Sequence, residues 1–174
     1  TNPIDETRTQ NPAMSAAPLL GQLRQLIAQA RTQALRAVDS IQVRTCWEIG
    51  RHIVEFEQGG QARAEYGKRL LPMLAEQLTA EFGKGFDASN LRYMRMFYLA
   101  FPKCDALRHE LSWTHYRLLT RVDNEAARQW YMQEAAEQNW SSRALDRQMG
   151  TLYYERLLLS QDKAAVADEA RENL

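Results

Sequence analysis

The stretch from Leu70 to Tyr98 constrains the fold of this chain more than any other. A helix-forming segment ends at Glu81-Phe82-Gly83, Lys84-Gly85-Phe86 makes a short connection, and Asp87-Ala88-Ser89-Asn90-Leu91-Arg92-Tyr93-Met94-Arg95 opens a second helix. Glycine stops a helix because it accepts the left-handed backbone that closes one, and Asp or Ser at the next start accepts hydrogen bonds from unpaired N–H groups. An amphipathic helix, a tight turn and a capped helix with polar and basic residues near its start form the order of a helix-turn-helix DNA reader.

The rest of the chain reads as helix too. Leu19, Leu23, Leu26, Ile27, Ala30, Ala34 and Val38 recur at steps of three and four, predicting a helix that ends near Asp39-Ser40. Val43, Cys46, Trp47, Gly50, Ile53 and Val54 carry the same period to Gly59-Gly60, as a second helix or as the continuation of one bent rod. In Tyr66, Leu70, Leu74, Leu78 and Phe82 the period is interrupted by Pro72, which predicts a kink or a helix beginning just before it. The helix after the turn should end against Pro102. Ser112 opens a short helix through Val122, Asp123-Asn124 another through about Gln138, and Ser141-Ser142 caps a last one to Ser160. Thr1 to about Ala17, with Pro3 and Pro12, reads as a flexible lead-in, and residues 161–174 as a tail or linker. Hardly any segment alternates at period two with β-branched residues. The expected fold is therefore all-α, with six or seven helices over residues 18–160 and an internal helix-turn-helix.

Total charge is uninformative, because 22 basic residues balance 22 acidic ones. Local charge is not. From Lys84 to Arg121 seven basic residues face three acidic ones, an excess of +4. Ser89, Asn90 and Arg92 at the start of the second helix are candidates for base edges or phosphates, and Lys84, Arg95 and Arg117 for phosphates. The competing reading spends Arg92 and Arg95 in ion pairs on a solvated face; whether Lys84, Arg92 and Arg95 are exposed together separates the two. Tyr93, Met94, Phe97 and Tyr98 have the spacing of core residues rather than of a base-stacking platform, and Trp47, Trp113, Trp130 and Trp140 read as core anchors. Cys46 and Cys104 lack a CxxC or His-rich neighbourhood, which argues against a disulfide framework or zinc site and for a reducing, cytoplasmic setting. His52, His109 and His115 stand beside no acidic pair at ligand spacing, and Gly83-x-Gly85 lacks the strand and the Lys of a phosphate loop. No apolar run approaches the roughly 20 residues of a membrane span, and the N-terminal residues lack the pattern of a signal peptide.

Several blocks in one order carry a resemblance: Trp47-Glu48-Ile49-Gly50-Arg51, Ala64-Glu65-Tyr66-Gly67-Lys68, Leu91-Arg92-Tyr93-Met94-Arg95 with Phe97-Tyr98, Leu111-Ser112-Trp113-Thr114-His115-Tyr116, and Tyr153-Tyr154-Glu155-Arg156-Leu157. Over roughly Leu19 to Lys163 the chain resembles the N-terminal domain of YhcG-type proteins, which join a helical domain to a C-terminal PDDEXK-family nuclease domain. The resemblance implies a parent protein that cuts or processes DNA with Mg²⁺ held in a nuclease domain absent from this chain. A PDDEXK site needs an Asp and a Glu-x-Lys on adjacent strands around the metal. The nearest string, Gln161-Asp162-Lys163, lies in a polar tail and reads as a domain boundary. A second set, Leu111 to Leu119, Asn124 to Ala135 and Trp140 to Leu145, is similar to the helices behind the helix-turn-helix of ParB-type partition proteins, with Ser141-Ser142-Arg143-Ala144-Leu145 departing from that pattern at two positions.

These readings converge on a DNA-binding or targeting module of a nuclease, with no catalytic, cofactor or metal residues of its own. The alternative is a protein-interaction or oligomerisation module of the same nuclease, in a defence system or elsewhere. The long stripe from Leu19 to Val54 predicts a homodimer through the first two helices.

Overall fold

The structure, a computed structural model, describes residues 16–60, 65–160 and 163–174. Among them are eight α-helices and no strand: α1 (Ala17–Gln58), α2 (Leu70–Phe82), α3 (Ala88–Ala100), α4 (Trp113–Leu119), α5 (Glu125–Glu137), α6 (Ser142–Gly150), α7 (Tyr153–Leu159) and α8 (Lys163–Glu172). Short 3₁₀ turns span Gly67–Arg69 and Cys104–Ala106. The all-α class is as expected, and α1–α7 give the seven helices expected up to residue 160, with α8 added in the tail. Most of the predicted lead-in, and Gln161-Asp162 of the tail, lie outside the described residues.

The chain divides into two units, Thr1–Ala37 and Val38–Leu174. In the first unit the described part is the beginning of α1, exposed at every position from Ala16 to Ala37. Of the two alternatives between Leu19 and Val54, the single rod holds: one helix runs without a break at Asp39-Ser40. Pro18, its second residue, falls in the first turn, where a missing N–H costs nothing. In the second unit Val43, Cys46, Trp47, Gly50, Ile53 and Val54 are buried in the chain's own core. That half of the stripe is therefore not available to a second copy.

The core of the second unit is built on α3 and α4. Phe97 has no exposed surface and packs against the rings of Phe101, Trp113 and Tyr116 at 5.7, 5.4 and 4.9 Å between centroids. The Trp47 indole N–H donates to the Phe101 carbonyl at 2.7 Å, which ties α1 to the end of α3. Gly50 lets the two helices touch, because a Cβ there would stand 2.0 Å from the Met94 carbonyl oxygen.

Local chemistry places the ends of the elements. α2 begins just before Pro72, the second of the two alternatives, with proline in the first turn. Gly83 and Gly85 hold φ of 82° and 103° in the turn, and Asp87 caps α3 by accepting from the Asn90 N–H at 2.6 Å. Asn124 and Ser141 cap α5 and α6 by accepting from Ala127 and Ala144. α5 closes on Asn139 in left-handed backbone, with the Trp140 N–H bonded to the Ala135 carbonyl. The last predicted helix, from Ser141-Ser142 to Ser160, is two helices instead. Leu152 takes φ 55°, and the Tyr131 hydroxyl accepts from the Tyr154 N–H while donating to Glu155 at the start of α7. A tyrosine from α5 thus supplies the new helix with a cap that no local residue provides.

Candidate nucleic-acid interface

The helix, turn and helix of residues 70–100 sit within the second unit, so the surface of α3 is set by what packs behind it. Leu91, Met94 and Phe97 face the core, which leaves Ser89, Arg92 and Leu99 exposed. Lys84, in the turn, is exposed as well. Lys84 and Arg92 form no ion pair among the described residues.

Asn90 points the other way. Its side chain is buried, its amide N–H donates to the Gly85 carbonyl, and its oxygen accepts from the Trp113 indole N–H at 3.2 Å. Each bond holds the turn or the α3–α4 packing, so Asn90 is a framework residue here and is set aside from the DNA-facing candidates. Arg95 is half-buried and engaged: its Nε lies 2.6 Å from Glu57 on α1. A pair that solvent still reaches in this way is worth about 0–1 kcal/mol, which leaves Arg95 free to exchange its carboxylate for a phosphate. Arg117 on α4 lies over the Tyr93 ring at 4.7 Å to the centroid.

The fold adds two residues that the linear pattern did not single out. Lys68, from the 3₁₀ turn before α2, joins Arg92 and Arg95 around a cleft of about 550 Å³ that is also lined by Leu70, Leu71, Pro72 and the Glu57 partner of Arg95. Arg121, just beyond α4, stands near the Tyr93 hydroxyl and holds its pKa below the ordinary phenol value, with Arg117 adding to the effect. Arg121 was countable in the basic excess and Lys68 in the Glu65-Tyr66-Gly67-Lys68 block. Neither spacing announces which helix it will stand beside. The result is a basic surface on both flanks of α3, Lys68 with Arg92 and Arg95 on one and Tyr93 with Arg117 and Arg121 on the other. Such a surface can neutralise phosphates along a nucleic-acid backbone and present polar groups between them.

Among the described residues no group of three or more His, Cys, Asp or Glu is placed to hold a metal ion. His115 is used within the fold: its Nε2 donates to the Trp140 carbonyl at 2.7 Å, and its Nδ1 accepts from the Ser112 N–H at 3.1 Å. Cys46 is buried, and burial pushes its thiol up to about 12. No helix among the described residues is long and apolar enough to cross a membrane.

The family model of the DUF1016 N-terminal domain matches residues 22–156. A protein of Escherichia coli (strain K12) named "Putative nuclease YhcG" is 38% identical over 177 residues, which cover 83% of this chain and 47% of that relative. The chain thus spans about half the length of the curated relative it matches. No solved structure matches it.

Proposed function

The chain belongs to the DUF1016 N-terminal domain family, and on that premise we propose that it is the DNA-targeting module of a YhcG-type nuclease. The observation that carries the proposal is Arg92, exposed on the outward face of α3 without an ion pair among the described residues and flanked by Lys68 and by the Arg117–Tyr93–Arg121 cluster. With Arg95 these make five cations around one helix, which release counterions when they meet the duplex backbone and so supply affinity without reading sequence. Ser89 and Arg92, on the exposed side of the first turns, are the residues placed to touch base edges. Cleavage belongs to the part of the parent protein outside this chain, where Mg²⁺ would be held. No step assigned to these residues runs through a metal.

Fluorescence anisotropy with a labelled duplex, titrated with salt, tests the proposal. Affinity should fall steeply with salt concentration. Arg92→Ala with Arg117→Ala should weaken binding and flatten the salt dependence by about one unit of slope per lost phosphate contact. Arg95→Ala alone should cost less, since Glu57 already holds that guanidinium. A double variant that keeps its fold, its affinity and its slope would remove α3 and α4 from the interface.

A further inference from the structure

Residues 17–37 of α1 are exposed throughout, yet their apolar side chains are ordered. Leu20, Leu23, Ile27, Ala30, Ala34, Ala37 and Ile41 step alternately by three and four, the 3.5-residue period of a two-stranded seam. The rhythm then slips. Val43 follows Ile41 by two residues, a jump of about 200° around a helix of 3.6 residues per turn. The run that starts there, through Cys46, Gly50 and Ile53, is the one buried in the chain's own core. Counted along the sequence, the seam from Leu20 is a separate pattern and not an extension of the core-packing one.

We propose that this seam is the contact with a second copy of the chain, parallel and in register. Area is the first argument. Seven large apolar side chains between Leu19 and Ile41 lie on or beside the seam, each 45% exposed or more. At roughly 60–120 Å² apiece they offer about 400–800 Å² per copy, against about 800 Å² per partner in a standard stable interface. The stems of the flanking arginines add to that area.

Charge is the second argument, and it chooses the orientation. Residues 17–38 carry Arg24, Arg31 and Arg36 and no carboxylate. In a parallel pair Arg24 and Arg31 run beside Leu19 and Leu26 of the second copy, their stems covering apolar surface and their guanidinium groups in water. An antiparallel pair would set Arg24 against Arg31 twice. Net repulsion between the two basic helices remains, so the dimer should tighten as salt screens it. Binding to an acidic partner helix would weaken instead.

Sedimentation equilibrium of the 174-residue chain across the micromolar range should report twice the 20.1 kDa chain mass, with tighter association at high salt. Leu23→Glu with Ile27→Glu changes residues that are exposed, so the unfolding midpoint of the second unit should stay while the dimer dissociation constant rises by about 100-fold or more. In a Cys104→Ser background, Ala30→Cys should cross-link two copies under mild oxidation, because only the parallel register brings that position against itself. Three results would overturn the proposal: a monomer at every concentration and salt, a dimer indifferent to the paired glutamates, or a dimer without the Ala30→Cys cross-link. A monomer that instead captures an acidic amphipathic peptide in a salt-weakened complex would identify the other occupant.

Discussion

Gly50 shows how one residue decides a helix crossing. A methyl group there would stand 2.0 Å from the Met94 carbonyl oxygen and 3.2 Å from the Tyr98 Cβ, and the first of these is backbone that cannot swing aside. Glycine within a helix ordinarily costs about 0.8–1.0 kcal/mol against alanine, so its presence at the crossing is a local loss that close packing of α1 on α3 recovers. Gly50→Ala should destabilise the second unit by roughly 1–3 kcal/mol, overpacking exceeding the propensity gain. Gly21→Ala meets nothing within 4 Å and should leave stability unchanged or slightly raised. Urea midpoints for the two variants test the pair; equal effects would mean that the α1–α3 contact is not limiting. Asn90 and Arg92 make a parallel contrast two positions apart, since one amide is consumed by Gly85 and Trp113 while the neighbouring guanidinium faces water.

Among the elements, the break between α6 and α7 departs furthest from the linear pattern. Leu145, Met149, Leu152, Tyr153 and Leu157 keep a helical period across it, yet Leu152 sits at φ 55° and ψ 45°. Left-handed backbone costs a residue with a Cβ about 1–2 kcal/mol. The gain on the other side is the burial of Tyr153 and the bonds of Tyr131 to Tyr154 and Glu155. Leu152 is 56% exposed and contributes little burial. Leu152→Gly should therefore raise stability by about 0.5–1 kcal/mol, relief of strain exceeding the added freedom of the unfolded chain. A lower melting temperature for Leu152→Gly would show that the side chain supports the α6–α7 corner. α8 is fastened nearby by another long-range bond: the buried Gln148 amide donates to the Ala170 carbonyl at 2.7 Å.

At the scale of the whole molecule, the proposed division of labour puts recognition in this chain and catalysis outside it. Metal-dependent phosphodiester cleavage needs converging carboxylates to hold the ion and stabilise the charge that develops. Among the described residues no three or more His, Cys, Asp or Glu are grouped to hold one. Incubated with plasmid or linear duplex and Mg²⁺ or Mn²⁺, the chain should leave the DNA intact while still binding it. Cutting that disappears when one of its own carboxylates is replaced would place a nuclease centre here and reverse the division. A dimer through the start of α1 would further bring two basic α3 surfaces into one particle, raising affinity through effective concentration wherever both reach the same duplex.

What the sequence determined by itself is what depends on neighbours a few residues apart. The stop at Gly83, the caps at Asp87, Asn124 and Ser141, the end of α3 before Pro102 and the all-α class follow from backbone freedom, short polar side chains and a 3.6-residue period, and all of these are local. The family was legible too, because its blocks keep their order. Tertiary structure decided the rest. It made one helix of Leu19 to Val54, where the polar Asp39-Ser40 pair suggested an end, and buried only the second half of the stripe. It turned Asn90 inward because an indole N–H from Trp113 needed an acceptor, and it brought Lys68 and Arg121 to the flanks of α3. It broke the last helix at Leu152 because a hydroxyl from α5 could cap the next one. Each of these depends on a partner more than twenty residues away, or on packing that removes water from one face of a helix and leaves it on another. A periodic pattern records that a face is apolar; only the assembled core determines which face finds something to cover it.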